Sequence, residues 1–347
     1  MTRRKPFEIA GRSIPPGLRA TVDLPVTVQS DHTPVNLSVH VIHGSRPGPT
    51  MFVSAGVHGD EVIGVEIVRR LLRVPSLNRL AGTLLVVPIV NSFGFLSHSR
   101  YLPDRRDLNR SFPGHPTGSL ASRLAHIFLN DVVLRADLGI DLHSAAVHRT
   151  NLPQIRISPG NDRLMDLAKS FGAPVIMTSK LRDGSLRGVA KERGVDILLY
   201  EAGEGLRFDE MAVRTGVAGI LRVMRDLGMI ARKGVPTVKA QPMLSLGSSW
   251  TRAPMGGLMR TFKRRGEVVN EGDILGLISD PFGEMESEIL AESSGIIVGR
   301  AVMPVVNEGD AIYHIAQIKR MEQAGETVEQ MEAELLEAPM FDEDEII

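Results

Sequence analysis

A histidine and a glutamate three residues apart, His58 and Glu61, form the pattern with the clearest chemical potential in this sequence. They lie in the segment GVHGDE, which directly follows the apolar run of residues 51–55. An imidazole and a carboxylate at this spacing supply two of the three protein ligands of a His₂Glu zinc site. The chain contains no cysteine, which excludes a thiolate site. A third ligand must therefore come from another histidine.

His143 is the histidine that we expect to complete such a site. It follows a second apolar run, in the segment GIDLHS, and the C-terminal ends of strands are where open α/β sheets bind ligands. Asp141, two residues earlier, has the type and position to orient a metal-bound imidazole. The other histidines are weaker candidates, because they lack a carboxylate at ligand spacing or, like His148, are at most pocket residues.

Two further polar motifs follow predicted strands or loops. The segment DLNRSFPG contains Asn109 and Arg110, whose amide and guanidinium donors suit a ligand carboxylate. Glu201 follows the apolar segment DILLY, which predicts that its carboxylate lies at the sheet edge. A carboxylate in that position is a candidate general base. Glu204, three residues later, is the reserve candidate for that role.

The elements that must position these residues alternate along the chain. Strands are predicted at residues 51–55, 83–90, 138–142, 174–178 and 196–200, and helices at 62–73, 119–134, 162–171 and within 209–227. This alternation indicates an α/β sheet with helices on both faces.

Beyond about residue 236 the pattern changes to short β segments with an internal repeat. The hexapeptide VVNEGD at residues 268–273 recurs at residues 305–310. Residues 250–318 thereby resemble the barrel-sandwich fold of biotinyl and lipoyl carrier domains, but the hairpin at residues 280–288 has no lysine to modify. We expect an unmodified accessory domain that serves as a lid or an oligomer contact, with Trp250 packing at the domain interface.

Three regions are therefore predicted. Residues 1–235 form an α/β domain with an N-terminal β segment, residues 236–318 a smaller all-β domain, and residues 319–347 an acidic, solvated helix and tail. The formal net charge is −1 and 43% of residues are hydrophobic. We expect a small-molecule substrate, neither nucleic acid nor membrane as a partner, a cytoplasmic location and a homo-oligomer.

Taken together and in this order, the motifs resemble those of the succinylglutamate desuccinylase and aspartoacylase family, within the zinc carboxypeptidase-like enzymes. The resemblance spans about residues 49–318 and implies a mixed sheet flanked by helices. It also implies one Zn²⁺ per chain, held by His58, Glu61 and His143. Asn109 and Arg110 match the family's carboxylate-binding pair, and Glu201 matches its general base.

The same resemblance implies additional arginines in the site. Arg100 is the better match to an arginine that stabilises the oxyanion, although Arg105 and Arg106 lie closer to the DLNR segment. Arg187 matches a further substrate-binding arginine. From its position after His143, Arg149 is a candidate for lining the substrate pocket, as is Asn151.

The implied activity is zinc-dependent hydrolysis of the amide bond of a small N-acyl amino acid or a related compound. A zinc carboxypeptidase or amidase acting on peptide ends is the alternative enzyme, because it uses the same metal and base. A non-catalytic zinc-binding regulatory protein is the alternative outside catalysis. Retention of three ligands and a base favours an enzyme.

Overall fold

The computed structural model describes residues 4–237, 240–318 and 324–336. The strands are β1 (Phe7–Ile9), β2 (Arg12–Ile14), β3 (Leu18–Val28), β4 (Pro34–His43), β5 (Arg46–Ala55), β6 (Ala81–Val87), β7 (Leu138–His143), β8 (Arg149–Ile157), β9 (Val175–Thr178), β10 (Asp196–Glu204), β11 (Met243–Arg252), β12 (Gly257–Thr261), β13 (Val268–Val269), β14 (Ile274–Ser279), β15 (Glu286–Leu290), β16 (Gly295–Ala301), β17 (Val305–Val306) and β18 (Ala311–Ile318). The α-helices are α1 (Ile63–Leu71), α2 (Ser92–Leu96), α3 (Leu120–Asp131), α4 (Asp162–Phe171), α5 (Leu186–Glu192), α6 (Glu210–Asp226) and α7 (Ala324–Leu336).

One large sheet organises the described residues, with strand order β13-β16-β18-β11-β9-β8-β10-β7-β5-β6-β4-β3. Strands β6, β5, β7 and β10 pair in parallel at its centre. The pairs β8–β10, β4–β6 and β3–β4 are antiparallel. The prediction of a mixed α/β sheet flanked by helices is therefore confirmed.

The second half of the central strand β5, residues 51–55, is apolar at all positions but one because alternate side chains enter two different cores. Met51 and Val53 pack into the core shared with α1, α4 and α6, whereas Phe52 packs against Phe128 of α3 on the opposite face. Strands covered on both faces have continuous apolar sequences for this reason. The polar exception, Ser54, is buried and donates a hydrogen bond to Asp141 at 2.7 Å.

Helix α6 packs closely on its neighbours because glycines lie at the contacts. A Cβ atom added at Gly216 would meet Ile67 of α1, and one added at Gly219 would meet the ring of Phe171 in α4. Phe171 is itself buried and lies 5.2 Å, centroid to centroid, from the ring of Tyr200. The ring therefore has little room to move aside.

The sequence patterns do not predict two elements that carry residues of the candidate site. Strand β8 contains Pro153 and begins six residues after His143, so its sequence reads as a loop. It is a strand because β10 and β9 pair with it on either side, and such tertiary pairing overrides local preference. Helix α5 spans only seven residues, which is too short for a clear helical period.

The C-terminal strands form two sheets rather than one isolated unit. Strands β15, β14, β12 and β17 form a four-stranded sheet, whereas β11, β18, β16 and β13 continue the large sheet. The link is made by β11 pairing in parallel with β9 and by β16 pairing with β8. The division at residue 235 and the barrel-sandwich description remain predictions.

The repeated hexapeptide makes the same turn twice. The carboxylate of Asp273 accepts a hydrogen bond from the backbone N–H of Asn270 at 2.8 Å, and Asp310 accepts one from Asn307 at 2.8 Å. Each copy begins with a two-residue strand, β13 in the large sheet and β17 in the small one. The repeat therefore reflects two equivalent turns on opposite sheets.

The C-terminal helix is only partly solvated, in contrast to the prediction. Val328, Met331 and Leu335 of α7 are buried, and the carbonyl of Leu335 accepts a hydrogen bond from Arg214 of α6. The predicted acidic tail, residues 337–347, lies outside the described residues. Among the helices of the described segments, none has the length and apolar character needed to cross a membrane.

We expect Gly219→Ala to lower the free energy of unfolding by about 1–3 kcal/mol, because the new methyl group overpacks the contact between α6 and Phe171. Chemical denaturation followed by circular dichroism measures the change. Gly325→Ala in α7 is the matched control, since nothing lies within 4 Å of its Cβ position, and it should leave stability unchanged or raise it by up to about 1 kcal/mol. Equal stability of the two variants would contradict the packing described for α6.

Candidate metal centre and active site

The candidate metal ligands lie at the C-terminal ends of two adjacent parallel strands. Ala55, the last residue of β5, is in register with Leu142 of β7, so the chain leaves both strands at the same edge. Gly56 follows β5 with φ +63°, a left-handed conformation that favours glycine. This turn brings His58 and Glu61 beside His143, the last residue of β7.

The three side chains converge on one point. The Nδ1 atom of His58 lies 2.6 Å from Oε1 of Glu61, and the Nδ1 atom of His143 lies 2.7 Å from Oε2 of the same carboxylate. One ligand atom from each residue lies within 4.8 Å of the others, and all three residues are buried. Two imidazoles and a carboxylate form a possible metal site whose donor types fit Zn²⁺.

Each imidazole is held from its far side by a second carboxylate. The Nε2 atom of His143 lies 2.8 Å from Oδ2 of Asp141, and the Nε2 atom of His58 lies 3.0 Å from Oδ1 of Asp107. Such outer contacts leave Nδ1 of each ring directed at the shared point and fix the ring orientation. The sequence indicated Asp141 in this position, whereas the contact of Asp107 with His58 was not apparent from it.

The electrostatics of the group favour a cation. Burial alone would raise the pKa of the Glu61 carboxyl, but the facing His58 and His143 outweigh burial and hold this pKa far below its usual value. Burial would lower the pKa of His143, yet the carboxylates of Asp141 and Glu61 raise it well above the usual value. Three carboxylates around two imidazoles therefore attract positive charge to the point where the ligand atoms meet.

Arg100 lies at this same group. Its Nη1 donates to Oε1 of Glu61 at 3.2 Å and its Nη2 donates to Oδ2 of Asp107 at 3.3 Å. The two alternatives from the sequence, Arg105 and Arg106, are exposed and do not line the cavity beside the group. Among the three arginines, the structure brings only Arg100 to the possible metal site.

A cavity of about 420 Å³ opens over the group. Its lining includes most of the residues that the sequence singled out, which are His58, Glu61, Arg100, Asn109, Arg110, His143, Arg149, Asn151, Arg187 and Glu201. Residues far apart in sequence are thus gathered in one place.

Two of the carboxylate-binding candidates, Asn109 and Arg187, are connected through α5. Asn109 is buried, and its side-chain oxygen accepts a hydrogen bond from the backbone N–H of Leu186 at 2.9 Å, which ties the loop to the first turn of α5. Arg187 on α5 donates to the hydroxyl of Ser179 at 2.7 Å. Burial, followed by the neighbouring charge of Arg156, lowers the pKa of Arg187 to about 10. Its Nη1 is buried without a hydrogen-bond partner among the described residues.

Glu201 faces the cavity from the strand next to the histidine strand. It lies in register with His143, because β10 and β7 pair in parallel. Its Oε2 accepts a hydrogen bond from the amide of Asn151 at 3.0 Å, and its Oε1 lies 3.5 Å from Nη1 of Arg156. The reserve candidate Glu204 instead accepts from the backbone N–H of His148 and does not line the cavity.

Several lining residues were not apparent from the sequence. Arg156 is on β8, which the patterns do not predict, while Lys180 and Arg182 lie in the loop before α5. Trp250 lines the cavity from β11 and stacks on His314 with ring centroids 4.6 Å apart. The guanidinium of Arg149 lies 5.3 Å from the centroid of the Trp250 ring. Trp250 of the C-terminal strand β11 therefore forms part of the cavity lining. The sequence predicted only that it packs at the domain interface.

Residues 47–227, just over half of the chain, match the family model described as the succinylglutamate desuccinylase/aspartoacylase catalytic domain. The chain belongs to this family. The matched segment includes all three possible metal ligands and Glu201. Its start lies in β5 and its end lies one residue beyond α6, so the family match covers strands β5 to β10 of the large sheet and helices α1 to α6.

Relatives of this desuccinylase/aspartoacylase family member include named deacylases. The chain is 29% identical over 285 residues to the N-alpha-acetyl-L-2,4-diaminobutyric acid deacetylase of Halomonas elongata, covering 78% of this chain and 83% of the relative. The succinylglutamate desuccinylase/aspartoacylase structure from Rhodobacter sphaeroides is 26% identical with a TM-score of 0.77, covering 87% of this chain and 96% of that one. The product-bound ectoine utilization protein EutE (DoeB) of Ruegeria pomeroyi, at 24% identity, has the same fold, with a TM-score of 0.77 and coverage of 86% and 94%.

We expect Asp141→Asn to weaken zinc binding by about 10- to 100-fold, because the imidazole of His143 loses the carboxylate that orients it. Competition with a chromophoric chelator measures the affinity. Ser54→Ala is the matched control, since it removes the other hydrogen bond to Asp141 but leaves the contact with His143 in place. An Asp141→Asn protein that binds zinc as tightly as the control would contradict the role of this carboxylate.

Proposed function

We propose that this protein is a zinc-dependent amidohydrolase that removes the acyl group from a small N-acyl amino acid. The observation that carries the proposal is the single cavity in which His58, Glu61 and His143 face Glu201. One Zn²⁺ per chain would be held by the two histidines and Glu61. When bound, the ion would acidify a water molecule and polarise the scissile carbonyl.

The acid–base work falls to Glu201. An ionised carboxylate in this position accepts a proton from water and delivers it to the leaving nitrogen, which would otherwise depart as an unstable anion. Its exposure to the cavity and its position beside His143 support this role. Arg100, which donates to Glu61 and Asp107, carries the positive charge nearest the group and would stabilise the oxyanion that develops on the substrate carbonyl.

We assign substrate recognition to the cationic side chains that line the cavity. The side chains of Arg110, Arg149, Arg182 and Lys180 have no ion pair with a carboxylate among the described residues, although all four line the cavity. Asn109 and Arg110 would bind the substrate carboxylate, with Arg187 and Arg149 as further contacts. An excess of unpaired positive charge favours a substrate that carries a carboxylate.

The known activity of relatives supports the acyl amino acid class. The relative from Halomonas elongata is named for removing an acetyl group from an amino acid, and its match covers most of both chains. A cavity of about 420 Å³ lies within the range typical of small-molecule sites. We therefore place hydrolysis of acyl amino acids ahead of the peptidase and the regulatory alternatives.

The experiment that tests this assignment is a screen of zinc-loaded protein against N-acetyl and N-succinyl amino acids, read by amine release, beside a set of short peptides. Turnover of at least one acyl amino acid, lost on chelation and restored by Zn²⁺, is the expected result. Cleavage of peptides without turnover of any acyl amino acid would favour the peptidase. Bound zinc with no turnover of either set would favour the regulatory protein.

We expect Glu201→Gln to retain zinc but to lower kcat by about 100- to 10,000-fold, because the amide cannot accept the proton from water. Metal analysis and steady-state kinetics on the best substrate from the screen measure both quantities. Glu204→Gln is the matched control, since Glu204 is on the same strand but outside the cavity, and its kcat should be unchanged. Full activity of the Glu201→Gln protein would remove the general base from the mechanism.

A further inference from the structure

Both oxygens of the Glu201 carboxylate are approached by side chains from β8. The amide nitrogen of Asn151 lies 3.0 Å from Oε2, and Nη1 of Arg156 lies 3.5 Å from Oε1. The Asn151 contact is an ordinary hydrogen bond, whereas the Arg156 contact is longer than one. Asn151 is therefore the side chain that defines where the carboxylate points.

The strand pairing beside Glu201 is irregular. From Glu201 to Gly203 β10 advances two residues, whereas β8 advances three, from Gln154 to Asn151, and Gly203 has φ +68°. The extra residue therefore lies on β8, next to Asn151. Such an irregularity re-aims the side chains beside it, and here the amide of Asn151 reaches the carboxylate of Glu201.

Asn151 is itself held by the C-terminal strands. In β16 the residue in register with it is Gly299, and a Cβ atom at Gly299 would lie 2.7 Å from Oδ1 of Asn151. Arg265, in the loop before β13, donates to the backbone oxygen of Asn151 at 3.1 Å and to the hydroxyl of Thr150 at 2.9 Å. Asn151 is buried, so its side chain is confined between β10 and β16.

The residues just before Asn151 also contact the C-terminal part of the chain. The backbone N–H of Val302 donates to the carbonyl of His148 at 2.9 Å, and Ala301 is in register with Arg149. The guanidinium of Arg265 also forms an ion pair with Asp209, the residue that caps α6. Residues 148–151 are therefore held between β10 on one side and the C-terminal part of the chain on the other.

We propose that Asn151 is a positioning residue for Glu201, and that the C-terminal strands complete the active site by fixing Asn151. This inference rests on the proposed role of Glu201 as the general base. It gives the C-terminal strands a part in catalysis in addition to any part as a lid or an oligomer contact. The link runs from Gly299 and Arg265 through Asn151 to the carboxylate.

Other charged or titratable groups face Glu201 from neighbouring elements. Among the described residues they include Arg156 from β8, Arg187 from α5 and His143 from β7. Asn151 differs from them because it is a neutral donor that fixes the direction of one carboxylate oxygen. Its removal should therefore change the orientation of the carboxylate without removing a charge beside it.

The test measures kcat, KM and zinc content for the zinc-loaded full chain. Asn151→Ala should lower kcat by about 10- to 100-fold, because a hydrogen bond to a charged group is lost. KM and zinc content should stay near those of the wild type, because the loss acts on the orientation of Glu201. Asn151→Asp keeps the shape of the side chain but cannot donate to the Glu201 carboxylate, so its kcat should fall at least as far.

A second pair of variants tests the link to the C-terminal strands. Gly299→Ala leaves Asn151 and Glu201 in the sequence but crowds the amide of Asn151, and it should reproduce part of the loss of kcat with KM near that of the wild type. Gly247→Ala on β11 is the matched control, because its Cβ would meet only one atom, at 3.4 Å, and it should behave as the wild type.

Two results would overturn the inference. One is an Asn151→Ala protein with wild-type kcat. The other is a lower kcat accompanied by a comparable rise in KM or by loss of zinc in both Asn151 variants, which would indicate a general structural defect. The Glu201→Gln protein separates these failures from failure of the proposed function: if that protein is active, Glu201 is not the base.

Discussion

The structure of this site depends on the burial of the Glu61 carboxylate between two imidazoles. A buried charge is costly unless partners compensate for it, and here His58 and His143 each approach one carboxylate oxygen within 2.7 Å. The arrangement requires that the ends of β5 and β7 lie side by side. Parallel pairing of these strands at the centre of the sheet meets that requirement.

The residues that surround Glu61 and the two imidazoles hold this buried group in place. Asp107 and Asp141 hold the outer nitrogens of the imidazoles, and Arg100 balances part of the negative charge. Ser54 links Asp141 back to the core of β5. The sheet therefore positions the carboxylates, the carboxylates orient the imidazoles, and the imidazoles face the shared point of the possible metal site.

The three possible metal ligands could be predicted from the sequence because the patterns that mark them are local. His58 and Glu61 lie three residues apart after one apolar strand, and His143 directly follows another. The alternation of strands and helices likewise predicts the parallel centre of the sheet. These features depend on short-range periodicity, which the sequence displays directly.

The rest of the site depends on contacts between distant segments. Strand β8 is stabilised by pairing on both sides rather than by its own composition, so Asn151 and Arg156 gave no sign of their approach to Glu201. The stack of Trp250 on His314 and the pairing of Asn151 with Gly299 join C-terminal strands to the cavity. Sequence spacing carries no information about such contacts, and the continuity of the large sheet across the expected domain boundary was hidden for the same reason.

The most direct measurement is the metal content of purified protein after loading with Zn²⁺ and gel filtration, for the wild type and for His143→Ala. The arrangement of His58, Glu61 and His143 predicts one zinc per wild-type chain and a loss of stoichiometric zinc in the variant, with circular dichroism showing that both proteins are folded. Stoichiometric zinc in His143→Ala, or a folded wild type that retains none, would contradict the metal centre described here.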